Sequence, residues 1–196
     1  MKLRVLLATV ALSVTIIPAL SPGSAGAGGC TGGDGADNII EGTSGNDVLC
    51  GKGGNDYIDG KGGNDVIYGG GGNDTIHGGP GKDTIYGGAG KDAISGGGGA
   101  DTIYGGKGRD WRLYGGPGDD KIFGQAGSDA MTGDAGADTL KRGPGSDSCL
   151  DAKDGGGGDH VVGGPGTDTY QKDTGDTVAG AENSEMCIVG PPPSQL

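Results

Sequence analysis

From Gly42 to Tyr104 the chain repeats itself every nine residues without a slip, as in Gly60-Lys61-Gly62-Gly63-Asn64-Asp65-Val66-Ile67-Tyr68 and the segments that follow it. No feature constrains the fold more. A fixed short period means that one small unit is stacked many times, each unit burying its apolar face only against its neighbours. One extra residue enters at Trp111–Arg112, and the phase resumes from Gly115 to Leu150. Three more, Asp151 to Lys153, precede segments 154–162 and 163–171, and a forerunner at 32–40 stands before Glu41. Fifteen repeats result, sharing Gly-Gly-x-Gly-x-Asp-x-apolar-x.

Each position has a physical reading. The sixth is always aspartate: Asp37, Asp47, Asp56, Asp65, Asp74, Asp83, Asp92, Asp101, Asp110, Asp120, Asp129, Asp138, Asp147, Asp159 and Asp168. The eighth is an aliphatic in nearly every repeat, beginning Ile39, Leu49, Ile58, Ile67, and ending Leu140, Cys149, Val161, Tyr170. Positions seven to nine therefore alternate outward, inward, outward, the pattern of a three-residue strand with one buried side chain. The glycines let positions one to six turn tightly. Such turns bring peptide oxygens and one carboxylate to a common point, an all-oxygen donor set that suits Ca²⁺, which accepts six to eight oxygens in flexible geometry.

Composition supports this reading and excludes others. Glycine accounts for 51 of 196 residues, but in pairs and with only 9 prolines, so the collagen period is absent. Apolar residues make up 32%, too few for an ordinary enzyme core. The formal net charge of −12 opposes nucleic acid and favours cations. His77 and His160, the two histidines, have no second ligand at zinc spacing, and no nucleophile motif accompanies them.

These residues resemble the repeats-in-toxin (RTX, haemolysin-type) calcium-binding nonapeptide family. The resemblance spans residues 32–171 and implies an all-β fold, a parallel β-roll or right-handed β-solenoid of about fifteen repeats. Two repeats would form one coil, and Ca²⁺ would lie between stacked turns on the fifteen aspartates and on peptide carbonyls. Departures stand at the second position (Thr43, Lys52, Lys61, Gln125, Asp134), at Arg142 in place of a first glycine, and at Lys82, Lys91 and Arg109 in the fifth. A cation beside a site should weaken it. Stacked carboxylates repel one another until cations neutralise them, so the expectation is a chain that folds on binding Ca²⁺.

The N-terminus reads as a leader. Lys2 and Arg4 precede an apolar stretch from Val5 to Leu20, and Ala25-Gly26-Ala27 fits a cleavage site. Residues 1–27 are thus expected to be a signal peptide, 28–171 the roll, and 172–196 a cap and loose tail ending near Pro191-Pro192-Pro193. The mature chain then has no membrane span and is extracellular. A retained N-terminal anchor and lipidation at Cys30 are the competing readings of the leader. An exported chain favours disulfides. In the implied roll, Cys50 and Cys149 are ~26 Å apart at ~4.8 Å per coil, beyond the ~7 Å reach of a disulfide. The pairing consistent with that roll is Cys30–Cys50 with Cys149–Cys187. Tyr68, Tyr86, Tyr104 and Phe123 would stack on one outer face, stiffening the sheet or serving a surface polysaccharide or protein partner. The functional expectation is a secreted, non-enzymatic Ca²⁺-binding protein with a structural or adhesive role. The alternative is a calcium-binding module detached from an exported enzyme or toxin, and a third reading, ice binding, lacks a regular outer Thr/Asn array.

Overall fold

The structure is a computed structural model that describes residues 15–17, 30–147, 150–151, 158–166, 169–171, 175–179 and 185–186. Among the described residues the strands alternate between two sheets of ten and nine strands, and every pairing is parallel. In the first sheet Tyr57–Asp59, Thr75–Pro80, Ala93–Gly98 and Arg112–Tyr114 are successive neighbours. In the second, Val48–Gly53, Val66–Gly71, Thr84–Ala89, Thr102–Lys107 and Lys121–Ala126 follow one another. Consecutive repeats thus lie in opposite sheets, and a residue's neighbour in its own sheet comes from the next repeat but one, as in Ile67↔Ile85↔Ile103↔Ile122.

A coil this small has room for one inward side chain per repeat. Ile58, Ile76, Ile94, Leu113 and Met131 from one sheet meet Leu49, Ile67, Ile85, Ile103, Ile122, Leu140 and Val161 from the other, each 0–1% exposed. This single file explains how 32% apolar residues suffice. Each buried aliphatic contributes ~1.5–3 kcal/mol, and none is redundant because no second layer lies behind it.

The register corrects the sequence reading at the first repeat. Ile40, not Ile39, is the buried residue and pairs with Ile58. Asn38 is buried and occupies the sixth position, while Asp37 is exposed and takes the fifth. The nine-residue phase therefore runs back to Gly33, and Glu41 is the ninth residue of that repeat rather than an insertion. A parallel ladder enforces this choice, since a one-residue slip would turn the aliphatic outward. At the other end Leu150, rather than Cys149, shares a register position with Tyr170. The insertion near Trp111 is absorbed before the strand begins: Arg112 pairs with Ala93 and Trp111 is left 59% exposed.

The ladder also runs past Gln171. Thr177–Ala179 pairs with His160–Val162, and Glu185–Met186 with Thr169–Gln171. At the N-terminal end Thr15–Ile17, inside the segment read as a leader, pairs with Asn38–Ile40 as the outermost strand of its sheet. The rest of residues 1–27 lies outside the described residues. Among the described residues no helix is long and apolar enough to cross a membrane. Cys30 and Cys50 are bonded, with Cα atoms 5.5 Å apart. Cys149 and Cys187 lie outside the described residues.

Candidate metal centre

The aspartates of the sixth position form two rows along the roll, one at each edge. Their Oδ1 atoms reach back one coil to accept the peptide N–H of the preceding aspartate in the row. Asp65 accepts from Asp47 at 2.8 Å, Asp83 from Asp65 at 2.8 Å and Asp101 from Asp83 at 2.8 Å. The other row runs Asp74 to Asp56, Asp92 to Asp74 and Asp110 to Asp92, each at 2.9 Å. The peptide carbonyls of most of these aspartates meanwhile accept from the residue that follows the next aspartate in the row, as in Thr84 N–H to Asp65 and Thr102 N–H to Asp83.

The second carboxylate oxygen is different. From Asp56 through Asp129 in both rows, Oδ2 is buried and has no hydrogen-bond donor. Burial pushes Asp65, Asp74, Asp92, Asp101, Asp110 and Asp129 from 3.8 up to about 6, and Asp120 up to about 7, while the N–H on Oδ1 partly opposes the rise. Asp56 and Asp83 are raised by the same cause. A row of buried carboxylates with one empty oxygen each is costly unless a proton or cation joins it.

The glycines shape the turns around these oxygens. A Cβ on Gly69, at the first position, would stand 2.5 Å from Oδ2 of Asp74 in its own repeat. A Cβ on Gly90, at the fourth, would stand 1.7 Å from the carbonyl oxygen of Gly72 one coil earlier, at φ +145°. Carbonyl oxygens thus line the turns where side chains are excluded. Among the described residues no group of three His, Cys, Asp or Glu side chains converges. The donor set is therefore mostly peptide carbonyl with one carboxylate per repeat, all oxygen, which fits a hard divalent cation such as Ca²⁺.

The departures from the motif now have structural meanings. Among the described residues, Lys52, Lys61, Gln125 and Asp134 are the non-glycine residues at positive φ, between 70° and 74°, and all stand at the second position. Thr43 instead donates its N–H (2.6 Å) and Oγ1 hydroxyl (2.9 Å) to Oδ2 of Asp47, so this half-buried carboxylate lacks the empty oxygen of the others. At the fifth position Asn46, Asn55, Asn64 and Asn73 bridge coils, each side-chain carbonyl accepting the N–H of the residue one coil on. Lys82 and Lys91 donate their peptide N–H to this ladder but have no amide oxygen to continue it.

Asp138, Asp147 and Asp159 are buried in the same rows and accept from Asp120, Asp129 and Asp138. Asp168 lies outside the described residues. Asp37 accepts the N–H of Asn55 from the exposed fifth position, and Asn38 donates its N–H to Asp56 in the row. Counting back nine from Asp47 finds Asn38; preferring an aspartate to the phase missed it. Asp176 was also missed. It accepts the N–H of Asp159 at 3.2 Å and is 6% exposed. Its signal was Asp176-Thr177-Val178, concealed by the loss of the glycine pair. Tyr68, Tyr86, Tyr104 and Phe123 stack with centroids 4.9 Å apart and planes within 10°.

A search of curated proteins finds no match to the chain. The family model for the RTX calcium-binding nonapeptide repeat matches in four copies, at residues 31–66, 50–85, 77–111 and 112–148, well over half of the sequence. With rows of buried aspartates on a glycine-turned β-solenoid, the chain belongs to the RTX calcium-binding nonapeptide repeat family.

Proposed function

We propose that this calcium-binding repeat protein is secreted, non-enzymatic and structural or adhesive, and that it folds when Ca²⁺ binds. The observation that carries the reading is the double row of buried carboxylates, Asp56 to Asp129, each with an oxygen that meets no donor. The calcium ions would be held by the aspartates of the sixth position and the turn carbonyls, neutralising the rows. Oδ1 would keep its bond to the neighbouring coil and hold each carboxylate in place for the ion. Asp47 to Asp159 would form this set, with an ion at Asp47 competing with Thr43 for Oδ2; Asp168 would join it by repeat position, whereas Asp37 would not. The Cys30–Cys50 bridge at one end of the roll is in keeping with an oxidising extracellular setting.

Circular dichroism during a calcium titration tests the reading. A disordered spectrum in chelator should give way to β structure as Ca²⁺ saturates. A β spectrum unchanged by excess chelator at pH 7.5 would sink it, and equal effects of Mg²⁺ would remove the argument from flexible oxygen coordination.

A further inference from the structure

The two outer faces of the roll differ. On the second sheet the aromatic ladder is continuous, and the rings of Tyr86 and Tyr104 are covered on both faces by their neighbours. On the first sheet the outward residues of the strand Ala93–Gly98 are small. Ala93 and Ser95 form a floor between taller neighbours, and a groove of about 420 Å³ opens there. His77 stands on one side, with Tyr57 packed against its ring at 5.7 Å. Trp111, Arg112 and Tyr114 stand on the other. The flanking strands are two spacings apart, ~9.6 Å between backbones, which leaves room between their side chains for one flat ring.

The far wall exists because of the inserted residue. Between Asp110 and Arg112 the extra position lifts Trp111 off the strand, with the Arg112 guanidinium 6.0 Å from its ring centroid. The groove therefore combines an indole face, a permanent cation, and hydroxyl and imidazole groups from Ser95, Tyr114 and His77. We propose that it binds an acidic pyranose, a uronate unit of a polysaccharide. A pyranose has an apolar face for the indole and a hydroxyl rim for Ser95 and His77, and a uronate adds a carboxylate that a guanidinium grips in two-pronged fashion. The net charge of −12 opposes any anion at long range, but at ~0.15 M salt screening confines that repulsion to ~8 Å. Arg112 is the fully charged group lining the groove. The inference depends on the folded roll and is separate from the positions of the ions.

The chain's one tryptophan reports on the site directly. With calcium saturating and folding verified by circular dichroism, Trp111 emission and calorimetry are followed against a galacturonate trisaccharide, a neutral galactose trisaccharide and tri-aspartate. The galacturonate trisaccharide should bind and shift the emission, with the other two at least tenfold weaker. Arg112→Gln should weaken uronate binding at least tenfold. So should Ser95→Tyr, which fills the floor with a residue the chain already places at the ninth position of other repeats. Equal binding of the neutral sugar or of tri-aspartate would overturn the assignment. So would full uronate binding by Arg112→Gln, which would point to sugar held through calcium ions. Failure of the roll to fold in calcium would show in the dichroism before any sugar is added and would count against the folding proposal instead.

Discussion

A proton should be able to substitute for the cation. The aspartates pushed up to about 6 or 7 in the folded roll titrate near 3.8 in an unfolded chain. Because the folded value is the higher one, folding takes up protons, and the contribution to stability is present below pH 4 and lost as pH rises through 6 to 7. At pH 5 an unfolded aspartate holds under a tenth of a proton and a folded one with a value of about 6 holds about nine-tenths, so the seven most shifted groups together should take up about 6 protons on folding. At pH 8 the uptake falls almost to zero. The assay is far-ultraviolet circular dichroism of the chain in excess chelator from pH 8 to 4.5, at low concentration and with light scattering followed, because the sequence pI is near 4.3. β structure should appear as pH falls through 7 to 5, and its pH midpoint should sharpen with the number of groups involved. The same experiment in saturating calcium should show a roll at both ends of the range, with protons released when calcium is added at pH 5. A calcium-free chain whose disorder is indifferent to pH, or deepens on acidification, would refute the claim that buried carboxylate charge opposes the fold.

Three further outcomes follow from the geometry. Gly90→Ala places a methyl group 1.7 Å from the Gly72 carbonyl at φ +145° and should cost ~3 kcal/mol or more, whereas Gly98→Ala meets nothing within 4 Å and should change stability by under ~0.5 kcal/mol; thermal unfolding in calcium separates them. Gln125→Gly relieves a left-handed residue at φ 70° and should stabilise the roll by ~1 kcal/mol, read as a higher unfolding midpoint. Cys50→Ser opens a bridge spanning 20 residues and should cost ~3 kcal/mol, read as a lower unfolding midpoint in calcium without reductant.

The repeat made most of this fold legible. Ile58, Ile67, Ile76 and Ile85 are fully buried because the period puts each at the one inward position of its strand. Sequence pattern and structure part where residue identity and phase disagree. At the first repeat Asp37 carried the expected residue type and Asn38 the expected spacing, and the ladder obeyed the spacing. At the other end the ladder instead departs from the nine-residue count, which falls on Cys149, and sets Leu150 opposite Tyr170. Asp176 could not be recognised through Lys172-Asp173-Thr174-Gly175, where the turn signature is lost while the strand persists. The backward reach of Oδ1 to the coil before is not readable from the sequence, because it follows from how two coils stack. The groove at Trp111 likewise depends on which residues eighteen apart become neighbours.

The backward reach of each carboxylate gives the roll a direction. Asp47 has its N–H satisfied only when Asp65 is in place, and Asp65 only when Asp83 is. Shortening the roll from its N-terminal side would bare carboxylate oxygens, which water serves well. Shortening it from the C-terminal side would bare peptide donors in the turn while removing the negative charge that balanced them. The two ends are thus chemically unlike, an acceptor end and a donor end. A coil that arrives late along the chain completes the one already formed, so order should propagate as a zipper whose teeth close behind it.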